Sequence, residues 1–360
     1  MRLNAIQLFI NTAVMMSNLF IPIIAHEFNA SGTQIGLIGA VYGAALFVST
    51  YTFSRASDSV PPKTLLYAGF LSASVTFFLQ MFAYDPFSLG VMRAMAGFSA
   101  GIYPAVLMLY VYNLKRSIGK FSSFMPLGWA LGNLLAGIIA VYWEIFAIAS
   151  LLFAVSFLIT LTLPDTEVRT KKKIDYFSRD ILRKNWNTYF GFFLRQIGAN
   201  NVWVIFPLYL TSLGADKLWI GIIYMLNPTL QFFIMRRLDK YNTARLIHIG
   251  DLLSAAAFAA LVPLTIYYQA VIGMILIAFS YSCLYVGSTR LLIETNEEKG
   301  VAAGLLNSSI AFATIIGSLI GGVILQYFSY RAVMATGAFF SLLGYAVVRF
   351  STPGTPQKSS

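Results

Sequence analysis

Uncharged, apolar runs of about 20 residues recur along the chain, separated by short segments in which Lys, Arg, Asp and Glu collect. A helix needs about 20 residues to cross ~30 Å of hydrocarbon. Twelve runs meet that length, at approximately 5–25, 33–53, 64–83, 87–112, 121–142, 145–163, 188–210, 218–235, 246–267, 270–290, 301–325 and 332–350. The pattern predicts twelve transmembrane helices, and away from the ends of the runs only Arg93, Arg195 and Asp251 place a charge inside one. Uncharged polar residues within the runs keep helical register. Gln7, Asn11 and Asn18 share a face of span 1, Gln196, Asn200 and Trp203 a face of span 7, and Tyr281 and Tyr285 a face of span 10; span 8 adds Tyr224, Asn227 and Gln231, and span 11 adds Asn307. An amide turned toward lipid is costly, so these faces should meet other helices or a water-filled interior. Asn11, Asn18, Gln196, Asn200 and Tyr281 are the candidate cavity residues, with interhelical hydrogen bonding as the alternative for each.

Composition agrees: 58% of residues are hydrophobic and 11% charged, where soluble domains carry roughly 25% charged residues. Mean hydropathy is +0.72. A single cysteine, Cys283, excludes an internal disulfide and a cysteine-cluster metal site, and His26 and His248 are too far apart in sequence to form a local ligand pair. No metal or cofactor is expected. The net charge of +11 has a topological reading. If the amino terminus is cytoplasmic, 21 of the 25 Lys and Arg fall in inner segments, while the outer loops hold only Lys217 and Arg331. That asymmetry orients both termini to the cytoplasm and makes nucleic-acid binding an unsuitable explanation of the charge. The first span is too long for a cleaved signal peptide, which points to a multi-pass protein of the cytoplasmic membrane.

The chain also repeats itself. "PIIAHEFNASGTQIG" (22–36) aligns with "PLYLTSLGADKLWIG" (207–221) at an offset of 185, matching Pro22 with Pro207, Ala30 with Ala215, Ile35 with Ile220 and Gly36 with Gly221. The same offset superposes "GWALGNLLAG" (128–137) on "ATIIGSLIGG" (313–322), with Gly132 on Gly317 and Gly137 on Gly322. Between them Asp58 and Asp239 correspond at 181. The expected division is an N-terminal six-helix bundle, 1–164, a basic cytoplasmic linker, 165–187, a C-terminal six-helix bundle, 188–350, and a disordered tail, 351–360.

Four motifs resemble those of the major facilitator superfamily. Its loop between helices 2 and 3 reads G-x-x-x-D-R-x-G-R-K; "SRASDSVPPK" (54–63) keeps Asp58 and Lys63 but has Ser54 and Pro61 at the glycines and Ser59 at the arginine. The second copy, "MRRLDKYNTAR" (235–245), keeps Asp239, Lys240 and Arg245. "RAMAGFSAG" (93–101) is similar to the helix 4 pattern of an arginine and spaced glycines, here Arg93, Gly97 and Gly101. "GWALGNLLAG" is similar to the antiporter pattern of helix 5, with Gly128, Gly132 and Gly137 but Asn133 for the proline and Ala136 for a glycine. The resemblance implies an all-α membrane protein of two pseudo-symmetric six-helix bundles, a cavity lined by helices 1, 4, 7 and 10, and gating contacts at Asp58 and Asp239. Small residues at 97, 101, 128, 132 and 137 suit close helix packing and sliding.

A mid-helix arginine costs ~2.5–3.5 kcal/mol on insertion scales, so it should face protein or water and have a partner. Arg93 and Arg195, if both face the chamber, favour an anionic or neutral polar solute. Asp251 is the one acid within a span; it is a possible coupling site, though a local pair with Arg195 or Arg245 is the preferred role. The functional expectation is a secondary transporter of a small organic solute working by alternating access, with export favoured by the helix 5 pattern. The alternatives are a proton-coupled multidrug efflux antiporter and, from another class, a membrane-embedded lipid-modifying enzyme. The last lacks the nucleophile, paired carboxylates or metal set it would need, so no enzyme is expected. Partners are a small-molecule substrate, the lipid bilayer and, with coupling, protons, and the chain is expected to be a monomer.

Overall fold

Every long apolar run becomes a helix. The computed structural model describes residues 2–56, 60–116, 121–164, 179–296 and 299–351. Its principal helices are α1 (Arg2–Leu19, continuing past a break at Phe20 as Ile21–Glu27), α2 (Gly32–Ala56), α3 (Pro62–Leu79), α4 (Pro86–Asn113), α5 (Phe124–Ile139) and α6 (Tyr142–Leu161). A short surface helix, Arg179–Lys184, leads into α7 (Trp186–Trp203, continuing as Phe206–Ser212), α8 (Lys217–Met235), α9 (Thr243–Ala260), α10 (Ala270–Thr295), α11 (Lys299–Tyr327) and α12 (Tyr330–Ser351). Among the described residues, nine helices are long and apolar enough to cross a membrane. The exceptions, α5, α7 and α9, are short, broken or carry charge.

Local chemistry explains the ends. Asp85 caps α4, its Oδ1 accepting from the Ser88 backbone amide at 2.7 Å, while Ser88 Oγ accepts from the Asp85 amide at 3.1 Å. Asp216 caps α8 through the Trp219 amide at 2.8 Å, and Asn242 caps α9 through the Arg245 amide at 3.1 Å. Span 9 was expected to reach 267, but α9 ends at Ala260. Pro263 lacks an amide hydrogen, its ring clashes with the carbonyl four residues earlier, and it disfavours helical geometry at Val262. Spans 1 and 7 were expected to be continuous. Both break instead, and each resumes with a proline in its first turn, Pro22 and Pro207. Each restarted helix is followed by a left-handed residue, Asn29 (φ 60°) and Gly214 (φ 88°), which are again 185 apart.

Within the N-terminal helices α1 packs on α5 and α6, α4 on α2 and α3, and α3 on α6. The C-terminal helices follow the same plan: α7 on α11 and α12, α10 on α8 and α9, and α9 on α12. Two extensive contacts join the sets, α2 with α11 and α5 with α8. The start of α1 and the end of α12 lie on one face, called here the terminal face, where Arg2 Nη1 donates to Thr162 O at 3.0 Å and Lys63 Nζ to Leu163 O at 2.7 Å. At the opposite, far face one apolar core runs through both sets, joining Ile23, Ala136 and Phe146 to Leu208, Ile220 and Met274. Near the terminal face the C-terminal helices have a separate core around Tyr189, Phe192, Leu292 and Leu306.

Candidate functional site

The seam between the two sets is built from glycine pairs. A Cβ on Gly36 would lie 2.4 Å from Ser318 O and 2.8 Å from Gly322 Cα; one on Gly221 would lie 2.7 Å from Asn133 O and 2.8 Å from Gly137 Cα. Adding 185 to 36 gives 221, adding it to 137 gives 322, and adding it to 133 gives 318. The α2–α11 contact is therefore the α5–α8 contact with its partners exchanged. Asn133 Nδ2 also donates across the seam to Tyr224 O at 3.4 Å. Farther out, Lys217 Nζ donates to Ala140 O at 3.0 Å and lies 3.7 Å from the centre of the Tyr142 ring, whose hydroxyl donates to Glu27 Oε1 at 2.6 Å. Two cavities of about 410 and 430 Å³ open at this face, one lined by Gln80, Tyr142, Trp143 and Lys217, the other by His26, Leu208 and Tyr330. Nearer the terminal face α11 presents Gly304, Asn307 and Ser308 exposed, and a Cβ on Gly304 would meet nothing within 4 Å.

Of the five glycines expected to serve gating, only Gly137 lies on this seam. Gly97 and Gly101 bring α4 against α2, where a Cβ would meet Tyr42 O at 2.4 Å and Leu46 O at 2.6 Å. Gly128 and Gly132 bring α5 against α1, beside Asn11 Cβ at 2.7 Å and Thr12 O at 2.5 Å. The first of these approaches positions an aromatic lid: the Tyr42 ring centre lies 4.0 Å from the Arg93 guanidinium carbon. Arg93, 4% exposed, donates through Nη1 to Gln80 Oε1 at 3.0 Å and through Nη2 to Asn18 Oδ1 at 2.6 Å, leaving Nε without a partner. Gln80 Nε2 in turn donates to Ser17 Oγ at 3.2 Å. The arginine is thus tied to α1, α2 and the end of α3.

Arg195 is 2% exposed and tied to different helices. Its Nε donates to Ser254 Oγ on α9 at 2.9 Å, its Nη1 donates to Gln196 Oε1, and its guanidinium lies 5.4 Å from the Tyr281 ring centre and 5.6 Å from that of Phe258. Ser254 shares a hydrogen bond with Ser280 on α10, and Arg195 Nη2 has no partner. Asp251, 0% exposed, sits one turn before Ser254 on α9, yet neither carboxylate oxygen has a hydrogen-bond partner. The expected local ion pair with Arg195 or Arg245 is not formed among the described residues, where the one close acid–base pair is Arg290–Glu294 on the surface of α10. Arg195 belongs to another helix, whose rotation the sequence does not give, and Arg245, six residues before Asp251 on α9, falls on a different, exposed side of that helix.

The remaining candidates fall apart into smaller groups. Asn11 Oδ1 accepts from Trp129 Nε1 at 3.0 Å, and its Nδ2 donates to Gln7 O at 2.7 Å. Asn200 Nδ2 donates to Gln196 O at 2.9 Å, and Tyr281 stacks on Tyr285. Arg93 meets Asn18, and Arg195 meets Gln196 and Tyr281; the two groups occupy different sets of helices. Asp58 and the Asp239 side chain lie outside the described residues. Lys63 is held by Leu163 O, Lys240 Nζ lies 5.3 Å from the Tyr241 ring centre, and the Arg245 side chain is exposed. Tyr42, Gln80, Ser254 and Ser280, which complete both arginine sites, were not singled out, since a polar residue at a helix face gives no sign of its partner on another helix.

Comparison with solved structures shows how widely this architecture is shared. The nucleoside transporter NupG superposes with a TM-score of 0.79 at 14% identity over 98% of both chains. The human organic anion transporter MFSD10 gives 0.72 at 15% identity, over 96% of this chain and 98% of that one. A bacterial homologue of the human lysosomal transporter Spinster, inward-facing and occupied, gives 0.80 at 13% identity over 97% of this chain and 95% of that one. At these identities the likeness is one of fold. A curated relative from Escherichia coli (strain K12), YaaU, named for metabolite transport, is 32% identical over 111 residues, which span 30% of this chain and 25% of that protein. The family model for the Major Facilitator Superfamily matches residues 3–227 and 188–360. With both the helix packing and the sequence in agreement, the chain is a multi-pass membrane transporter and not an enzyme, and it belongs to the Major Facilitator Superfamily.

Proposed function

We propose that the protein carries a small, neutral, polar organic solute by alternating access, with residues 1–164 and 188–350 rocking as two six-helix halves joined by the linker 165–187. In this reading all twelve principal helices cross the cytoplasmic membrane and the terminal face is cytoplasmic. The observation that carries it is the exchange-symmetric seam, Gly36 on Gly322 and Gly137 on Gly221. Parallel structural repeats about an axis along the membrane normal suit a site approached alternately from either side. Far-face contacts through Lys217, Tyr142 and Glu27, a core shared at that face, and exposed Asn307 and Ser308 nearer the terminal face support an inward-facing state.

The neutral character of the solute rests on how the arginines are used. Two of the three guanidinium nitrogens of Arg93 and of Arg195 donate to neutral side chains of the protein itself, and both groups are almost fully buried. This removes the reason for preferring an anion. Half-buried Asn11 with Trp129, and exposed Asn307, supply amide and indole groups suited to hydroxyl and carbonyl partners. Among the structural relatives, one is a nucleoside transporter.

Counterflow in proteoliposomes tests this reading. Labelled nucleosides, sugars, amino acids and carboxylates are offered singly to vesicles loaded with the same unlabelled compound. Saturable exchange of a neutral solute, with selectivity unchanged in Arg93→Gln and Arg195→Gln, is the expected result. Exchange confined to carboxylates and lost in both variants would overturn the neutral reading. Product formation, or flux without counterflow, would overturn the carrier.

A further inference from the structure

The carrier reading makes no use of Asp251, the one acid buried among the described spans. We propose that Asp251 is a proton-binding site set away from the solute path, and that loss of its proton draws the Arg195 guanidinium onto the carboxylate. The inference rests on the carrier reading only for its consequence, a change in the side-chain link that Arg195 makes from α7 to α9.

Three observations meet at this point. Asp251 is wholly buried and neither oxygen receives a hydrogen bond from the described residues. An ionised carboxylate held so would forgo both water and pairing, a penalty that neutralisation avoids. Second, Arg195 has a free Nη2 while its Nε reaches Ser254, one turn from Asp251 on the same face of α9. The cation is anchored beside the acid but holds Gln196 instead. Third, His248 lies one turn before Asp251 toward the terminal face, and its Nδ1 is also buried without a partner. The stripe His248, Asp251, Ser254 and Phe258 therefore runs from the helix start to the arginine.

The charged and titratable groups on the surrounding helices are few. Arg195 comes from α7; Tyr281, Cys283 and Tyr285 come from α10; Tyr345, against His248, and Arg349 come from α12; and α9 itself adds Arg245 and His248. Arg195 is the cation that α9 already binds at this level. When the proton leaves, the new carboxylate and the Arg195 cation are opposite charges in a low-dielectric interior, where their attraction far exceeds that of an arginine–amide hydrogen bond. The guanidinium then swings from Gln196 to Asp251, releasing Gln196 on the adjoining face of α7. The proton passes to the aqueous phase of the terminal face, so charge and atoms balance without another reactant.

The test uses the full chain in lipid nanodiscs and the carboxyl region of its infrared spectrum. At neutral pH the wild-type protein should show a protonated carboxyl band that Asp251→Asn removes and Asp251→Glu shifts. Carbon-13 labelling of aspartate alone should move that band in the unmutated protein, which keeps the test decisive if a variant fails to fold. No band that responds to aspartate labelling would overturn the proton site. In a Cys283→Ser background, the rate of thiol modification of Asn307→Cys, divided at each pH by that of a free reference thiol to remove the intrinsic thiolate dependence, should change several-fold as the band titrates, and the same ratio should stay flat over that range in Asp251→Asn. The same pH response in Asp251→Asn would overturn the coupling to Arg195. Because the band is read without any solute, its loss and the failure of counterflow are separate results.

Discussion

The two halves bury one arginine each, and they stabilise it differently. In the first half Arg93 is gripped from three helices, by Asn18, Gln80 and the Tyr42 ring, and pairs with no acid among the described residues. In the second, Arg195 is held by Ser254 and Gln196, and an unpartnered carboxylate waits one turn away on α9. The first arrangement has a single charge state, since guanidinium does not deprotonate under ordinary conditions. The second has two. A shared backbone plan thus carries a fixed clamp in one half and a titratable one in the other, and only the second can respond to protons.

The strongest way to break this comparison is to ask whether the halves are equivalent where they should be. Gly36→Leu and Gly221→Leu each drive a side chain into backbone of the opposite half. Overpacking of this kind costs ~1–3 kcal/mol, and if borne only by the closed far face it lowers that population about 5- to 150-fold. Thiol modification of a cysteine at Phe28 should rise alike in both variants; a rise in only one would show that the seam is not balanced. Next in size is Arg93→Gln, which strips donors from Asn18 and Gln80 and should destabilise the protein by ~1–3 kcal/mol in denaturant titrations, independent of pH.

Smaller effects sharpen the contrast. Ser254→Ala removes one hydrogen bond to a charged group but leaves Gln196 and the aromatic rings in place. It should cost about 1.5 kcal/mol in the same titrations, less than Asn18→Ala, which frees the shorter contact to Arg93. The smallest effect lies at the start of α4. The Asp85 carboxyl is held below its usual value by hydrogen bonds from the Ser88 side chain and amide. A carboxylate with a lowered native value stabilises the fold above its unfolded value, and that contribution fades as pH falls through the native one. Asp85→Asn should therefore flatten the acid limb of the thermal stability curve, with a small loss of stability at neutral pH and none below the native value. The corresponding start of α10 uses Gln269, whose Oε1 accepts from the Thr265 amide at 2.9 Å and has no such titration.

Hydrophobic run length located the helices because hydrocarbon thickness imposes it, and small errors at the ends left the order intact. The early stop of α9 at Ala260 and the breaks beside Pro22 and Pro207 escaped because those segments are apolar throughout, so hydropathy carries no mark of backbone direction. The offset of 185 had already picked out Gly36, Gly137, Gly221 and Gly322 as matching pairs. It could not say that they meet, since matching under a repeat and touching across it are different relations. The arginine environments were least legible. Asn18 and Arg93 were both singled out as cavity groups, but their direct bond depends on how α1 and α4 are rotated, and so does the covering of Arg93 by Tyr42.

The exchanged glycine contacts have a consequence for assembly. Each half carries one member of both locks, Gly36 with Gly137 in the first and Gly221 with Gly322 in the second. A surface that contains its own complement is the signature of a two-fold dimer. Two copies of α1–α6 would present Gly36 to Gly137 twice over, so a single chain reproduces the geometry of a two-fold homodimer while leaving each half its own way of holding a buried charge.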